Sequence, residues 1–226
     1  MSPLSSPGDA VAELASDHLS EALVDGLRSV IGDALVDSYL KPGDDVWVRI
    51  RSDAWRDAGL ALRDQLGMDY FCFLSAMDWM PSPYGKGEDD PTEPPPERDP
   101  TIRQGYAGGE TRFQLLARVV SSTAHVGITL KSDVPDTLDM PSWIPVYAGA
   151  NWHERETWEM FGITFAGHPD LRHIYLPTEF EGFPLRKDFP LLARMVKPWP
   201  GIVDVEPMPG AAAGDDEAAE AGGDAS

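Results

Sequence analysis

Residues Asn151–Leu191 read NWHERETWEMFGITFAGHPDLRHIYLPTEFEGFPLRKDFPL, and the rest of the chain can be arranged around them. The stretch opens as a short amphipathic helix. Asn151 suits an N-cap, and Glu154, three residues on, completes a capping box with it. Trp152 takes the first helical position. Trp158 and Phe161 share one side, and Arg155 and Glu159 are spaced i,i+4 on another. Gly162 supplies the stop. A helix of about ten residues is marginal alone in water, so this one must dock. Its charges (Glu154, Arg155, Glu156 and Glu159) fit either a solvated face opposite an aromatic one or a surface that meets charged groups of a partner. After Gly162, His168-Pro169-Asp170-Leu171-Arg172-His173 reads as a bend. Pro177, Pro184 and Pro190 then disfavour regular pairing, so the chain is expected to run extended. Phe180, Phe183, Leu185, Phe189, Leu191 and Leu192 cannot make a core of their own and imply a partner surface. Arg186-Lys187-Asp188 adds local charge.

Working outward toward the N-terminus, Met140-Pro141-Ser142-Trp143 places a proline where a helix would begin. Phe113–Ser121 and Val126–Leu130 read as a hairpin with Ser122-Thr123-Ala124-His125 at its turn, followed by a polar link from Asp133 to Asp139. Residues 81–110 are rich in proline, acid and glycine. They are expected to form a long loop between two strands of one sheet, either a solvated spacer or an arm that crosses a partner. Tyr70–Met77 is an apolar run that predicts a central strand, closed by Asp78 in a turn or capping role. A helix is expected from a cap at Asp53, with Trp55, Ala58, Leu62 and Leu66 on one face and Gly67 at its end. Val46–Ile50 alternates as a strand. Leu35–Leu40 reads as another, with Lys41-Pro42-Gly43 as the turn between them. Leu19, Leu23, Leu27, Val30 and Ile31 follow a helical period from a cap at Asp17 to Gly32. Residues 1–15 and 201–226 have the composition of disordered segments. The expected layout is therefore an α+β domain over 16–176, with a small mixed or antiparallel sheet and helices packed on it. An extended partner-binding tail follows over 177–200.

Composition narrows the function classes. Eighteen basic residues against 38 acidic ones give a net charge of −20. Phosphate binding needs clustered Lys and Arg, so nucleic acid is an unsuitable partner. An acidic surface is equally unsuited to anionic lipid. No apolar run reaches the roughly 20 residues that span a bilayer, and MSPLSSPGDA lacks the basic and apolar regions of a signal peptide. The chain is expected to stay in the cytoplasm and to reach a membrane through partners. Cys72 is the single cysteine and lies in an apolar run, which fits a buried, unreactive thiol. One cysteine cannot ligate an iron–sulfur cluster. No GxGxxG or P-loop run is present, and no nucleophile with a positioned base stands out. His153, His168 and His173 invite a metal reading. His153-Glu154 lacks the second histidine of HExxH, however, and His168 and His173 are better placed to lock the bend or contact a neighbour.

ERETWEMF (Glu154–Phe161), six residues, His168, and then Arg172-His173-Ile174-Tyr175 resemble the signature of the C-type, 30 kDa-type subunit of proton-pumping NADH:quinone oxidoreductase, respiratory complex I. The GFPLRKDFPL ending is similar to that family's as well, and Asp78 followed by an aromatic resembles its strand-ending pattern. A looser likeness extends from about Ser16 to Pro190. The resemblance implies a non-catalytic, cofactor-free structural component of the peripheral arm. NADH, quinone, FMN and the iron–sulfur clusters would be handled by other chains of the complex. It implies a peripheral position on the cytoplasmic side of the cell membrane. Its partners would be the quinone-site (D-type) and terminal-cluster (B-type) subunits, and the I-type subunit would be a further neighbour. The candidate interface residues are Glu154, Arg155, Glu156, Glu159, His168, Arg172, Arg186, Lys187 and Asp188. An equivalent subunit of a membrane-bound hydrogenase or cofactor-F420-type dehydrogenase is the alternative. A stand-alone metal-dependent enzyme using the three histidines is the third.

Overall fold

The computed structural model describes residues 7–42, 44–82 and 99–189, all within one unit of the chain. Helix α1 (Pro7–Ile31) leads to strands β1 (Leu35–Tyr39) and β2 (Val46–Ile50), helix α2 (Trp55–Asp64) and strand β3 (Tyr70–Asp78). After the long loop come β4 (Phe113–Ser121), β5 (Val126–Asp133), β6 (Asp139–Pro141), α3 (Ala150–Phe161) and β7 (Thr164–Ala166). Five strands form one mixed sheet in the order β1-β2-β5-β4-β3. Within it β2 and β5 run parallel, and the other neighbours are antiparallel. β6 and β7 make a separate parallel pair. The fold is α+β.

Alternation along the strands separates two faces. Register places Val46, Val48, Ile128, Leu130, Ala117 and Val119 together on one face. These residues are buried with Leu23 and Leu27 of α1 and Trp55 and Leu62 of α2. Each large apolar side chain sealed here contributes about 1.5–3 kcal/mol. Arg49, Lys131, Gln114 and Asp133 align on the opposite face. The link to α3 is set by Trp143. Its ring stacks on Trp55 with centroids 4.9 Å apart, and its indole N–H donates to Trp55 O at 2.9 Å. A Cβ at Gly59 would stand 2.9 Å from that ring, so α2 can approach it only through glycine.

Several elements differ from the sequence expectation, each for a local reason. α1 begins at Pro7, well before Asp17, and takes in most of the stretch expected to be disordered. Proline suits the first helical turn, and the following Ala-rich run favours helix. Asp53 does not cap α2. A 3-10 turn (Ser52–Ala54) leads into that helix, and Asp53 pairs with Arg51 at 2.8 Å. Met140-Pro141 lies in β6, and the next helix waits until Ala150. The apolar β3 stands at the edge of the sheet, while β5 is central. The 81–110 loop does join two antiparallel neighbours, β3 and β4, and the β4–β5 hairpin turns through His125 at φ 54°. Residues 83–98, which carry most of the loop's prolines and acids, lie outside the described residues. So do Gly43 of the expected turn, 190–200 and the acidic 201–226.

Candidate functional site

Helix α3 is terminated as its sequence requires. Gly162 adopts φ 76°, and its N–H donates to Trp158 O at 2.8 Å. Its start is different. Gly149 occupies the cap with no side-chain bond, and Asn151 lies inside the helix. Glu154 points inward, is 0% exposed, and accepts from the Trp143 N–H and from the Ser142 hydroxyl at 2.7 Å. It fixes the 142–143 turn against the helix and does not cap it.

The remaining charges of α3 hold the chain that follows β7. Glu159, 2% exposed, accepts from His173 Nδ1 at 2.9 Å. It also accepts from the backbone N–H groups of Ile174 at 3.2 Å, Tyr175 at 3.0 Å and Leu176 at 2.7 Å. Arg155 donates to the carbonyls of Arg172 at 3.1 Å and His173 at 2.9 Å. The expected Arg155–Glu159 pair does not form, because each side chain is committed to residues 172–176. Further along, the Leu185 N–H donates to Met160 O at 3.2 Å, and Arg186 donates to Phe161 O at 2.6 Å. The Arg186 guanidinium lies 4.3 Å from the Phe183 ring centroid. Phe183 and Arg186 fill the space beside Gly162, where a Cβ would come within 2.8 Å of both.

A third attachment closes on the end of β3. Asp78 is buried and receives a two-pronged bond from Arg112, at 2.9 and 2.6 Å. It also accepts from the N–H groups of Met80 at 3.0 Å and Lys187 at 2.8 Å. Arg112 reaches on to Asp188 at 3.0 Å. Burial pushes the Asp78 carboxyl up, but these donors outweigh it and hold it below the ordinary range. Residues 168–189 thus form a strap of turns fastened to the domain at three places. Over Pro177–Phe189 the chain makes turns where its prolines suggested an extended run. Its turns close through Phe180 N–H to Pro177 O, and Phe189 N–H to Arg186 O.

The candidate interface residues fall into distinct environments. Glu154 and Glu159 are sealed inside and are corrected from contact residues to internal anchors. Arg155 and Arg186 are half-buried staples of the strap. Asp188 is exposed and paired with Arg112, and Arg172 is exposed and paired with Asp170 at 3.2 Å. His168 Nδ1 accepts from the Asp170 N–H at 3.0 Å, so Nε2 carries the proton and donates to Asn151 O at 3.3 Å. The half-buried Glu156 and the exposed Lys187 ammonium make no side-chain bond among the described residues. The histidines are dispersed. His153 packs edge-on against Phe71, His173 serves Glu159, and no cluster of three metal-ligating side chains occurs among the described residues.

Two groups were missed in the sequence. Arg112 lies in a loop and carries no pattern. Lys131 comes directly after the run Val126–Leu130 and lies within β5, one residue beyond where the sequence reading ends the strand. It is buried at the centre of the sheet and donates to the carbonyls of Gln104 and, at 2.7 Å, Tyr106. Burial pushes its ammonium down to about 8. Beside it, Asp133 accepts from Arg49 at 3.0 Å, Gln114 at 2.8 Å and the Glu110 N–H at 2.9 Å. Together they hold residues 104–111 across the polar face of the sheet.

Residues 48–195, which include β3–β5, α3 and the whole strap, match the family described as "Respiratory-chain NADH dehydrogenase, 30 Kd subunit". The chain belongs to this family. Among relatives, it is 36% identical over 186 residues to the C/D-type NADH-quinone oxidoreductase subunit of Photorhabdus laumondii subsp. laumondii, covering 81% of this chain and 28% of that protein. It is 48% identical over 81 residues to the C-type NADH-quinone oxidoreductase subunit of Rhizobium johnstonii, covering 36% of this chain and 40% of that one. The chain thus spans well under two thirds of the length of these relatives. The same fold also recurs in the structure of the membrane-bound sulfane sulfur reductase, an archaeal respiratory membrane complex. There the TM-score is 0.57 at 19% identity, over 76% of this chain and 86% of that one. None of the described helices is long and apolar enough to cross a membrane.

Proposed function

We propose that this chain is the C-type component of an NADH:quinone oxidoreductase complex, held at the membrane surface through its partners. In this reading it supports NADH-to-quinone electron transfer coupled to proton translocation without itself catalysing a step. Flavin, iron–sulfur clusters and quinone would reside on other chains. The observation that carries the reading is the family match across 48–195, which includes the elements that build α3 and its strap. The internal commitments of that region add a physical argument. Its buried charges secure the strap, while Trp152, 68% exposed, and Tyr175, 64% exposed, stay outside. Large aromatics left outside a well-fastened region favour a protein interface over a solvated surface. The D-type subunit is the first expected neighbour, because the Photorhabdus relative is named for both C and D and this chain accounts for only 28% of it. The B-type subunit is the second and the I-type the third.

A second reading is favoured by one observation. The same fold stands in an archaeal respiratory membrane complex named for sulfane sulfur reduction, so an equivalent subunit of a related membrane oxidoreductase would look the same. Affinity purification of the tagged chain from gently solubilised membranes, with mass spectrometry of the co-purifying proteins, separates the two. Flavin- and cluster-bearing subunits with NADH:quinone activity are expected. A hydrogenase or sulfur-reductase set would favour the second reading, and a chain recovered alone would contradict both.

A further inference from the structure

The two edges of the main sheet are built differently. β1, at one edge, is five residues long, carries an irregularity between Leu35 and Asp37, and uses the Asp37 carboxylate to accept the Ser38 N–H at 2.8 Å. A short, bent edge with an occupied N–H resists pairing with another strand. β3, at the other edge, carries an irregularity of its own between Phe71 and Phe73, but it is nine residues long and has neither lysine nor proline to guard it. Its only acid, Asp78, is turned inward. The backbone groups of β3 that face away from β4 make no hydrogen bond among the described residues. Yet the sequence Tyr70-Phe71-Cys72-Phe73-Leu74 has the composition of a strand flanked on both sides, and Tyr70 is 62% exposed.

Beside the C-terminal half of β3 lies an open groove of about 410 Å³. It is lined by Ala76, Met77, the Arg112-bonded Asp78, Trp79 and Met80 from β3 and the residues after it, and by Phe161 and Leu185 from α3 and the strap. Lys187 stands at its end, held there because its own N–H is bonded to Asp78. In a chain of net charge −20, this is an apolar groove headed by an ammonium with no ion pair among the described residues.

We propose that β3 is completed in the assembly by an extended segment of a neighbouring protein chain, which adds to its open edge, lays apolar side chains into the groove and sets a carboxylate against Lys187. Main-chain bonds along the edge supply affinity, and the groove and the ammonium supply register. The inference rests on the proposed complex membership and goes beyond it in naming the edge, the mode and the chemistry of the partner segment.

Hydrogen exchange on the full chain, compared between the isolated protein and the membrane complex purified through its tag, tests this. Peptides covering 70–78 are expected to slow by at least about tenfold on assembly as the outward N–H groups find partners. A photo-crosslinker at Met77 should capture an acidic, extended segment of another protein of the complex. Lys187→Glu should lower the yield of complex several-fold, and Lys187→Arg should restore it. An intact complex whose 70–78 peptides exchange as in the isolated chain overturns the inference and leaves complex membership standing. So does a crosslink to a second copy of this chain. Failure to recover any complex overturns membership and the inference with it.

Discussion

Glu154 and Glu159 lie on the same short helix, both almost wholly shielded from solvent, and their carboxyls are shifted in opposite directions. At the junction with the 142–147 turn, burial pushes the Glu154 carboxyl up to about 7, and the Trp143 N–H and Ser142 hydroxyl offset this only in part. At the strap, burial also pushes Glu159 up. There the N–H groups of Leu176 and Tyr175, the His173 ring and the Ile174 N–H outweigh it and hold the carboxyl below its ordinary 4.5. Depth alone does not decide whether a buried acid is charged. The deciding quantity is the number of donors that a neighbouring segment brings to it. The first carboxylate locks a turn that precedes the helix, and the second gathers the chain that follows it.

Among single substitutions, the largest break in this comparison should come from Glu159→Ala. It strips three backbone N–H groups and the His173 ring of their acceptor, and should destabilise the chain by about 3 kcal/mol. Urea unfolding gives the magnitude, and exchange at 172–189 gives the place. Unchanged exchange there would remove Glu159 as the anchor. Next is the pH dependence of Glu154. Its folded value lies above its ordinary 4.5, so the folded state binds more protons between pH 4.5 and about 7, and stability falls as pH rises through that window. The whole effect is about 3–4 kcal/mol, and Glu154→Gln should flatten it. Glu159 acts with the opposite sign, since its depressed value makes stability fall as pH drops below 4.5. Denaturation midpoints of the two variants across pH 2.5–8 would show the two slopes separately, and identical slopes would dissolve the contrast.

Arg155→Ala should cost less, about 1–2 kcal/mol, because the Arg172 and His173 carbonyls can turn partly to water. Arg155→Lys should recover little of it, since a point ammonium does not reproduce the guanidinium fork. The smallest effect belongs to Asn151→Ala, expected within about 0.5 kcal/mol. A thermal-unfolding loss near the usual 1 kcal/mol of a helix cap would mean that Asn151 does cap the helix.

The local elements were legible where the signal is carried within a few residues. Gly162 marks the helix stop, Val46–Ile50 alternates as a strand, and Phe113–Ser121 and Val126–Leu130 fall in the hairpin. The site was legible in its residue types but not in their partners. Glu154 and Asn151 have the spacing of a capping box, and nothing nearby in sequence reveals that Ser142 and Trp143 will take the carboxylate instead. The apolar run of β3 reads as a central strand because burial on both sides is the usual cause of such a run. A strand completed by another chain would carry the same composition.

By itself, the sequence determined the α+β class, the family signature between Glu154 and Tyr175, and the hydrophobic alternation that separates the two faces of the sheet. Periodicity and turn chemistry operate over one helical turn or one strand, so these features survive without knowledge of the fold. Only the tertiary structure decided which charges are internal. Glu159 meets groups 14 and 17 residues away, and Asp78 meets groups 34 and 109 residues away. Desolvation and hydrogen-bond supply depend on what packing brings together, and at those separations the local sequence carries no trace of it.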